Sequence, residues 1–307
     1  MAARRILVTG ASGFIGSRLA RRLLADGFAV RCLVRNPRSA AALELRDAGC
    51  EIAVADLERP QGLDAAMEDV EAAYFLVHMI GEGDDYPAIE RAAAARFARA
   101  AKAAGVARLV YLGGLGPDAG SRHLSARHDV ARTLAAEGPP LTYFRAAMVI
   151  GPGSESYELL RGIVGRLVAL PATDWLETCT QPIGADEVIE YLRQALEVPE
   201  SAGREIQIGG PRVISHLDLV NEMAAALGRR APVRIPLSAR IARPETVAAG
   251  AAAVTPGRPE VAAEISLGLV EPTVVDDPSA AELFSVRHRN LDAVLADAVD
   301  AAGDGSR

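Results

Sequence analysis

The chain has few cysteines, a single lysine and no long hydrophobic run, and these shortages exclude several classes of protein. Its three cysteines show no CxxC or Cys/His spacing, so they indicate neither a disulfide framework nor a zinc site and fit a reducing cytoplasm. No stretch approaches the roughly 18 apolar residues that a membrane span needs, and no export signal is evident. We therefore expect a cytoplasmic protein with no membrane partner.

The charge balance argues against a nucleic-acid partner. The chain has 33 basic and 40 acidic residues, for a net charge of −7, which gives no broad attraction to phosphate backbones. Its 307 residues are 50% hydrophobic, which is ample material for a core. These features predict a globular protein, a monomer or homodimer, whose partner is a small-molecule substrate.

Short apolar runs alternate with helix-length segments through the first half of the chain. The first run, "RRILVTG", ends abruptly in glycine and is followed by a segment with Ile15, Leu19 and Leu23 on one helical face. Strands this apolar are typical of a parallel sheet covered on both sides. The pattern predicts an α/β fold with a doubly wound Rossmann-type sheet: a dinucleotide-binding domain over 1–150 and a smaller substrate-side region over 151–307.

Three glycines lie between the first strand and the first helix, in "VTGASGFIG". Gly10 permits the tight turn, Gly13 lets the backbone approach a pyrophosphate, and Gly16 lets the helix pack against the sheet. The helix N-terminus then faces the anion. Because the triplet has this strand-turn-helix context, it predicts nucleotide binding.

The end of the second strand indicates which dinucleotide is bound. NAD sites place an acidic residue there, whereas this chain has none between Asp26 and Glu44. Arg35 is instead available to pair with a 2′-phosphate, with Ser12 or Arg38 assisting. The sequence therefore favours NADP over NAD.

Asp56 and Leu57 end the third predicted strand. The Asp56 carboxylate is placed either to contact the adenine edge or simply to start the next helix. We include both residues in the predicted cofactor site.

The chain resembles the short-chain dehydrogenase/reductase superfamily, and it is most similar to its atypical, NmrA-like NAD(P)H-binding members. The resemblance runs from residue 4 to about 237 and is carried by "VTGASGFIG", "VRNP", "ADL", "YFLVHMIG", "LVYLGGLG", "FRAAMVIGPGS" and "QPIGADEVIEYL". It implies a diphosphate site, an adenosine site and a nicotinamide site. Their residues are Gly10, Ser12, Gly13, Phe14, Ile15 and Gly16, then Arg35 and Asp56, then His78, Met79, Gly113, Met148 and Val149.

The catalytic positions of the superfamily are all substituted. The usual serine falls at Gly113 or Gly114, the tyrosine at His123 and the lysine at Arg127. A Tyr-x-x-x-Lys pair cannot exist elsewhere, because Lys102 is the only lysine and alanine lies four residues before it. The resemblance therefore supports the prediction of a bound NAD(P)H more firmly than it supports any particular reaction.

His123 and Arg127 retain the spacing of the lost pair on one helical face. An imidazole of ordinary pKa exchanges protons near pH 7, and a guanidinium can hold ribose hydroxyls or an oxyanion. The alternative is a pair of solvent-facing residues left after catalysis was lost. Tyr157, just past the nicotinamide edge, is a further candidate proton donor, although the amphipathic pattern favours a packing role for it.

The function we expect is NADP(H)-dependent reduction of a small, apolar carbonyl compound or enone. Hydride transfer belongs to the cofactor, so loss of the tyrosine slows the reaction without forbidding it. Two alternatives stay open: a non-catalytic NADP(H)-binding sensor or regulator, and a redox-neutral isomerase or lyase on the same fold.

Overall fold

The computed structural model describes residues 4–59, 61–80, 83, 85–118, 121–236, 244–255 and 259–304. Its strands are β1 (Arg5–Val8), β2 (Ala29–Val34), β3 (Glu51–Val54), β4 (Ala72–Phe75), β5 (Arg108–Gly114), β6 (Leu141–Ala146), β7 (Val149–Ile150), β8 (Ala169–Pro171), β9 (Cys179–Thr180), β10 (Ile183–Gly184), β11 (Glu205–Ile208), β12 (Ile214–Ser215) and β13 (Val233–Ile235). Its α-helices are α1 (Phe14–Ala25), α2 (Ala40–Asp47), α3 (Leu63–Ala66), α4 (Tyr86–Ala103), α5 (Arg122–Glu137), α6 (Glu155–Arg166), α7 (Ala185–Gln194), α8 (His216–Ala226), α9 (Pro244–Val254), α10 (Pro259–Leu267), α11 (Ser279–Leu283) and α12 (Leu291–Asp304).

The central sheet has seven strands in the order β11-β6-β5-β4-β1-β2-β3. Every neighbouring pair in it is parallel. The chain order reverses between β1 and β4, and ligands of doubly wound sheets bind at such a switch point, outside the carboxyl ends of the strands. The predicted fold class is confirmed.

Both faces of the sheet are buried, because neighbouring apolar residues of each strand point to opposite sides. In β1, Leu7 joins the core formed with α3, α4 and α5, whereas Ile6 and Val8 join the core formed with α1, α2 and α7. The continuous apolar runs read from the sequence therefore correspond to strands covered by helices on both sides.

The chain beyond residue 150 contributes to two parts of the fold. Strand β11 pairs with β6 as the seventh strand of the sheet, and α7 packs on α1. Helices α6, α8 and α12 enclose a separate core that includes Tyr157 and Met223. The boundary expected at residue 150 therefore does not divide the sheet, which draws on both regions.

Across the described ranges, no helix is both long and apolar enough to cross a membrane.

Candidate functional site

A cleft of about 480 Å³ opens at the switch point of the sheet. This volume lies within the usual range for ligand and cofactor pockets. All residues that the sequence assigned to the cofactor line it: Gly10, Ser12, Gly13, Phe14, Ile15, Gly16, Arg35, Asp56, Leu57, His78, Met79, Gly113, Met148 and Val149.

The turn between β1 and α1 has the geometry of an anion site. Gly10 has φ +62°, and a Cβ there would collide with the backbone carbonyl of Leu76. A Cβ at Gly16 would collide with the Gly10 carbonyl, so this glycine permits the helix to pack close to the turn. Helix α1 begins at Phe14 with no side-chain cap, which leaves the amides of its first turn available to a ligand anion.

Arg18 fixes the start of α1 to the turn that follows β7. Its guanidinium lies 4.2 Å from the centroid of the Phe14 ring and donates to the Pro152 carbonyl at 3.1 Å. The Phe14 ring in turn packs against Gly151 and Gly153. Sequence reasoning missed this role, because nothing in the pattern placed Arg18 near residue 152.

Arg35 and Asp56 line the cleft just after the carboxyl ends of β2 and β3. Arg35 is an exposed side chain directly after β2. The Asp56 carboxylate accepts from the backbone amide of Glu58 at 3.0 Å, so it starts the next turn while it also lines the cleft. Ser12 lines the cleft as well, whereas Arg38 does not.

The opposite end of the cleft brings together three side chains from β4–α4 and α5. Helix α5 begins with Ser121 as its cap, and it carries His123 and Arg127 on the face toward the cleft. The Arg127 Nε donates to His123 Nε2 at 3.4 Å, and its Nη1 lies 2.7–2.8 Å from the ring nitrogens of His78. Glu90, which is only 2% exposed, lies behind them with its Oε1 3.5 Å from His78 Nδ1.

These contacts define the hydrogen-bonding roles of the two imidazoles. A guanidinium only donates, so His123 and His78 each accept from Arg127 through one ring nitrogen. The Glu90 carboxylate faces His78 Nδ1 at 3.5 Å without forming a hydrogen bond to it, and His123 carries its proton on Nδ1. The Nδ1 of His123 is buried and has no hydrogen-bond partner among the residues that the structure describes. His123, which lines the cleft, therefore holds an unsatisfied N–H beneath the cleft surface.

The electrostatic surroundings of His123 keep it neutral. Burial lowers its pKa well below 6.5, and the nearby charge of Arg127 and the His78 ring lower it further. The sequence-based expectation of an imidazole that titrates near pH 7 is therefore wrong for this site. His123 can act as a hydrogen-bond donor but not as an imidazolium acid at neutral pH.

Tyr157 does not belong to the cleft. Its side chain is 0% exposed in the core around α6, and its hydroxyl donates to the Ala298 carbonyl at 3.0 Å. Burial also raises its pKa, so it is a poor proton donor. The suggestion of a catalytic Tyr157 is corrected by this packing, because the residue faces α12 rather than the nicotinamide edge.

Packing opposes a serine at the end of β5, most strongly at Gly113. A Cβ at Gly113 would lie 2.7 Å from Cε2 and 2.8 Å from the hydroxyl of Tyr143, whose ring stacks on Tyr111. A Cβ at Gly114 would lie 2.7 Å from a methyl of Leu124. Aromatic and leucine side chains therefore occupy the space that the superfamily's serine would need.

A further part of the cleft lining is built by segments far apart in sequence. The stretch after α10 contributes Leu269, Glu271 and Thr273, and Thr273 donates from its hydroxyl to that of Thr180 at 2.7 Å. His216 also lines the cleft. No motif marks these residues, so sequence reasoning could not find them.

Comparisons with known proteins agree with this geometry. The model of the NmrA-like family matches residues 2–165 of this chain. The chain is 30% identical over 233 residues to the (4-alkanoyl-5-oxo-2,5-dihydrofuran-3-yl)methyl phosphate reductase of Streptomyces griseus, which covers 73% of this chain and 74% of that protein.

Two further similarities differ in kind. The photosystem II assembly factor Ycf39 of Trieres chinensis is 23% identical over 236 residues, or 76% of this chain and 72% of that protein. The triphenylmethane reductase of Citrobacter sp., solved in complex with NADP(H), superimposes with a TM-score of 0.73 at 20% identity, over 95% of this chain and 99% of that one. The latter similarity supports the fold.

Proposed function

Because this chain belongs to the NmrA-like family, we propose that it is an NADP(H)-dependent reductase of a small, neutral, largely apolar carbonyl compound or enone. One observation carries the proposal: a single cleft runs from the glycine turn before α1 to the half-buried pair His123 and Arg127. Reductase activity in the Streptomyces griseus relative is consistent with it.

The residues of the cleft fit a dinucleotide. The first-turn amides of α1 would bind the diphosphate, since the glycines at 10 and 16 bring the backbone close. Arg35 would pair with a 2′-phosphate, and Asp56 would face the adenosine. Met148 and Val149 would contact the nicotinamide.

The chemistry needs little from the protein beyond positioning. When bound, NADPH supplies the hydride that reduces the carbonyl carbon or the β-carbon of an enone. The Nδ1–H of His123 donates to the substrate oxygen, and the Arg127 guanidinium stabilises the negative charge that develops there. Because His123 is neutral, the proton that completes the reduction comes from water.

The charges around the substrate side favour a neutral substrate. Glu155 and Glu271 line the cleft, and among the described lining residues the basic side chains besides histidine are Arg35 and Arg127. Two carboxylates would repel a phosphate group at this end. We therefore expect this chain not to share the phosphorylated substrate named for the Streptomyces griseus relative.

Transfer of isotope from C4-deuterated NADPH tests the proposal. A panel of neutral ketones and enones is incubated with the protein and labelled cofactor, and the product is analysed for deuterium. We expect label in at least one product, and we expect His123→Phe to lower turnover about 10²–10³-fold, as loss of an oxyanion donor does. His128→Phe is unsuitable as a control because that ring is hydrogen-bonded in the core, so Ser125→Ala, on the same helix but outside the cleft lining, serves instead.

A non-catalytic NADP(H)-binding protein is the second candidate. The packing that excludes a serine at Gly113 favours it, as does the presence of an assembly factor among the relatives. In that case NADPH binds, ketones and enones bind, and no label leaves the cofactor. That result would overturn the reductase proposal.

A further inference from the structure

A small recess opens from the substrate end of the cleft. It measures about 30 Å³, and Met148, Ser156, His216 and Leu269 line both it and the cleft. Its other walls are apolar: Leu159, Leu160, Ile163, Leu170, Trp175, Leu176, Leu219 and Val220. Since one water needs about 10–15 Å³ on this measure, the recess has room for a few heavy atoms.

Two buried polar atoms of residues that line the recess have no hydrogen-bond partner in the part of the chain that the structure describes. They are Nε2 of His216, a residue that is only 6% exposed, and Nε1 of Trp175. An unsatisfied buried polar atom costs free energy, which a ligand group can recover. An apolar pocket with a few convergent polar atoms is typical of a ligand subsite.

The state of His216 restricts the ligand group. Burial lowers the pKa of His216 to about 4, so the ring is neutral and does not attract an anion. A neutral imidazole nitrogen either donates or accepts, and the indole N–H only donates. A hydroxyl group satisfies either state of Nε2 and can also accept from Trp175. A carboxylate or phosphate would be left without a countercharge here.

We propose that this recess binds the distal end of the substrate, a short alkyl arm that carries a hydroxyl group hydrogen-bonded to Nε2 of His216. The substrate is then a hydroxyalkyl ketone or enone, with its carbonyl at His123 and Arg127 and its hydroxyl at His216. This inference rests on the proposed function for the position of the carbonyl, whereas the recess and its polar atoms do not depend on it.

The test compares 5-hydroxy-2-pentanone with 2-pentanone on the wild-type protein saturated with NADP⁺, so that no turnover occurs. Imidazole ¹⁵N resonances are recorded by NMR, and the His216→Gln variant identifies the resonances of His216. We expect the hydroxyketone to shift the His216 nitrogens and to bind about tenfold more tightly than the parent ketone, which is the worth of one net hydrogen bond.

Variants separate the hydroxyl contact from general packing. His216→Phe should remove the preference for the hydroxyketone. Val220→Ile adds a methyl group inside the recess and should weaken binding of the hydroxyketone. Val213→Ile adds the same group at a position that is 48% exposed and should leave that binding unchanged. Equal affinity for the two ketones, or no shift at His216, would overturn the proposal.

The outcomes also distinguish this proposal from the proposed function. A His216 shift with the hydroxyketone, but no reduction of either ketone by NADPH, would support the recess and contradict the reductase. Reduction that is insensitive to the hydroxyl group and to His216→Phe would support the reductase and contradict the recess.

Discussion

Buried charge at the substrate end of the cleft is balanced residue by residue. The carboxylate of Glu90 is almost fully buried, and it faces the imidazole of His78, which accepts from the Arg127 guanidinium. A buried charge such as this carboxylate is costly unless a countercharge accompanies it. Glu90 therefore supplies negative charge that lets Arg127 sit beside a neutral His123.

Arg35 is the charged side chain on which we expect cofactor choice to depend. Arg35→Asp should weaken NADPH binding by about 2 kcal/mol, or about 30-fold, because it replaces a charge-assisted pair with repulsion. NADH binding should change little, since NADH lacks the 2′-phosphate. Fluorescence titration of both cofactors measures the effect.

Arg38→Asp is the matched control, since it makes the same charge change three residues away outside the cleft lining. Equal loss of NADPH affinity in the two variants would mean that long-range charge, rather than a contact from Arg35, sets the preference.

Strand β5 shows how the packing of one element constrains the site. Its last residues, Gly113 and Gly114, pass directly beneath the Tyr143 ring and a Leu124 methyl. The Tyr143 hydroxyl is hydrogen-bonded to His128 Nδ1 at 3.1 Å, and this hydrogen bond holds the ring in its position. At the end of β5, the backbone rather than a side chain therefore borders the cleft.

Gly113→Ala should lower the free energy of unfolding by about 1–3 kcal/mol, because the new methyl group overpacks the Tyr143 ring. Chemical denaturation measures it. Gly165→Ala is the control, because a Cβ there meets no atom within 4 Å and the residue lies in helix α6. That substitution should be neutral or stabilising by about 0.5–1 kcal/mol. Equal stability of the two variants would contradict the packing argument.

The whole molecule buries several histidines in their neutral form, which couples its stability to pH. Burial is the largest cause that lowers the pKa of His123, His128 and His216. The unfolded chain binds protons at these residues near pH 6.5, while the folded protein does so only at lower pH. The contribution of these neutral histidines to folding stability is therefore present above pH 6.5 and is lost as the pH falls toward their pKa values in the folded protein.

His216 allows this coupling to be measured. The pKa of His216 is about 4 in the folded protein. The unfolding free energy of the wild type should therefore fall by about 2 kcal/mol when the pH is lowered from 7 to 5, because only the unfolded chain binds a proton at His216 in this range. Urea denaturation at the two pH values gives the slope. In His216→Gln this part of the pH dependence should vanish, and a slope identical to that of the wild type would show that another group titrates in this window.

The two ends of the cleft differed in how well they could be predicted. The turn at Gly10 to Gly16, and the positions of Arg35 and Asp56, follow local rules of strand, turn and helix, so their places in the cleft were expected. His123 and Arg127 were found by position on one helix, yet the neutral state of the imidazole was not, because desolvation depends on atoms contributed by β4, α4 and α5.

The sequence by itself determined the parallel sheet and the glycine turn before α1, because hydrophobic periodicity and glycine spacing are properties of neighbouring residues, and its motifs carried the resemblance to the family. Only the tertiary structure placed Tyr157 in the core, Tyr143 against Gly113 and His216 beside the cleft. Each of these depends on segments more than 25 residues apart in the chain. Contacts of that kind are decided by how the helices pack on the sheet, which no local pattern records.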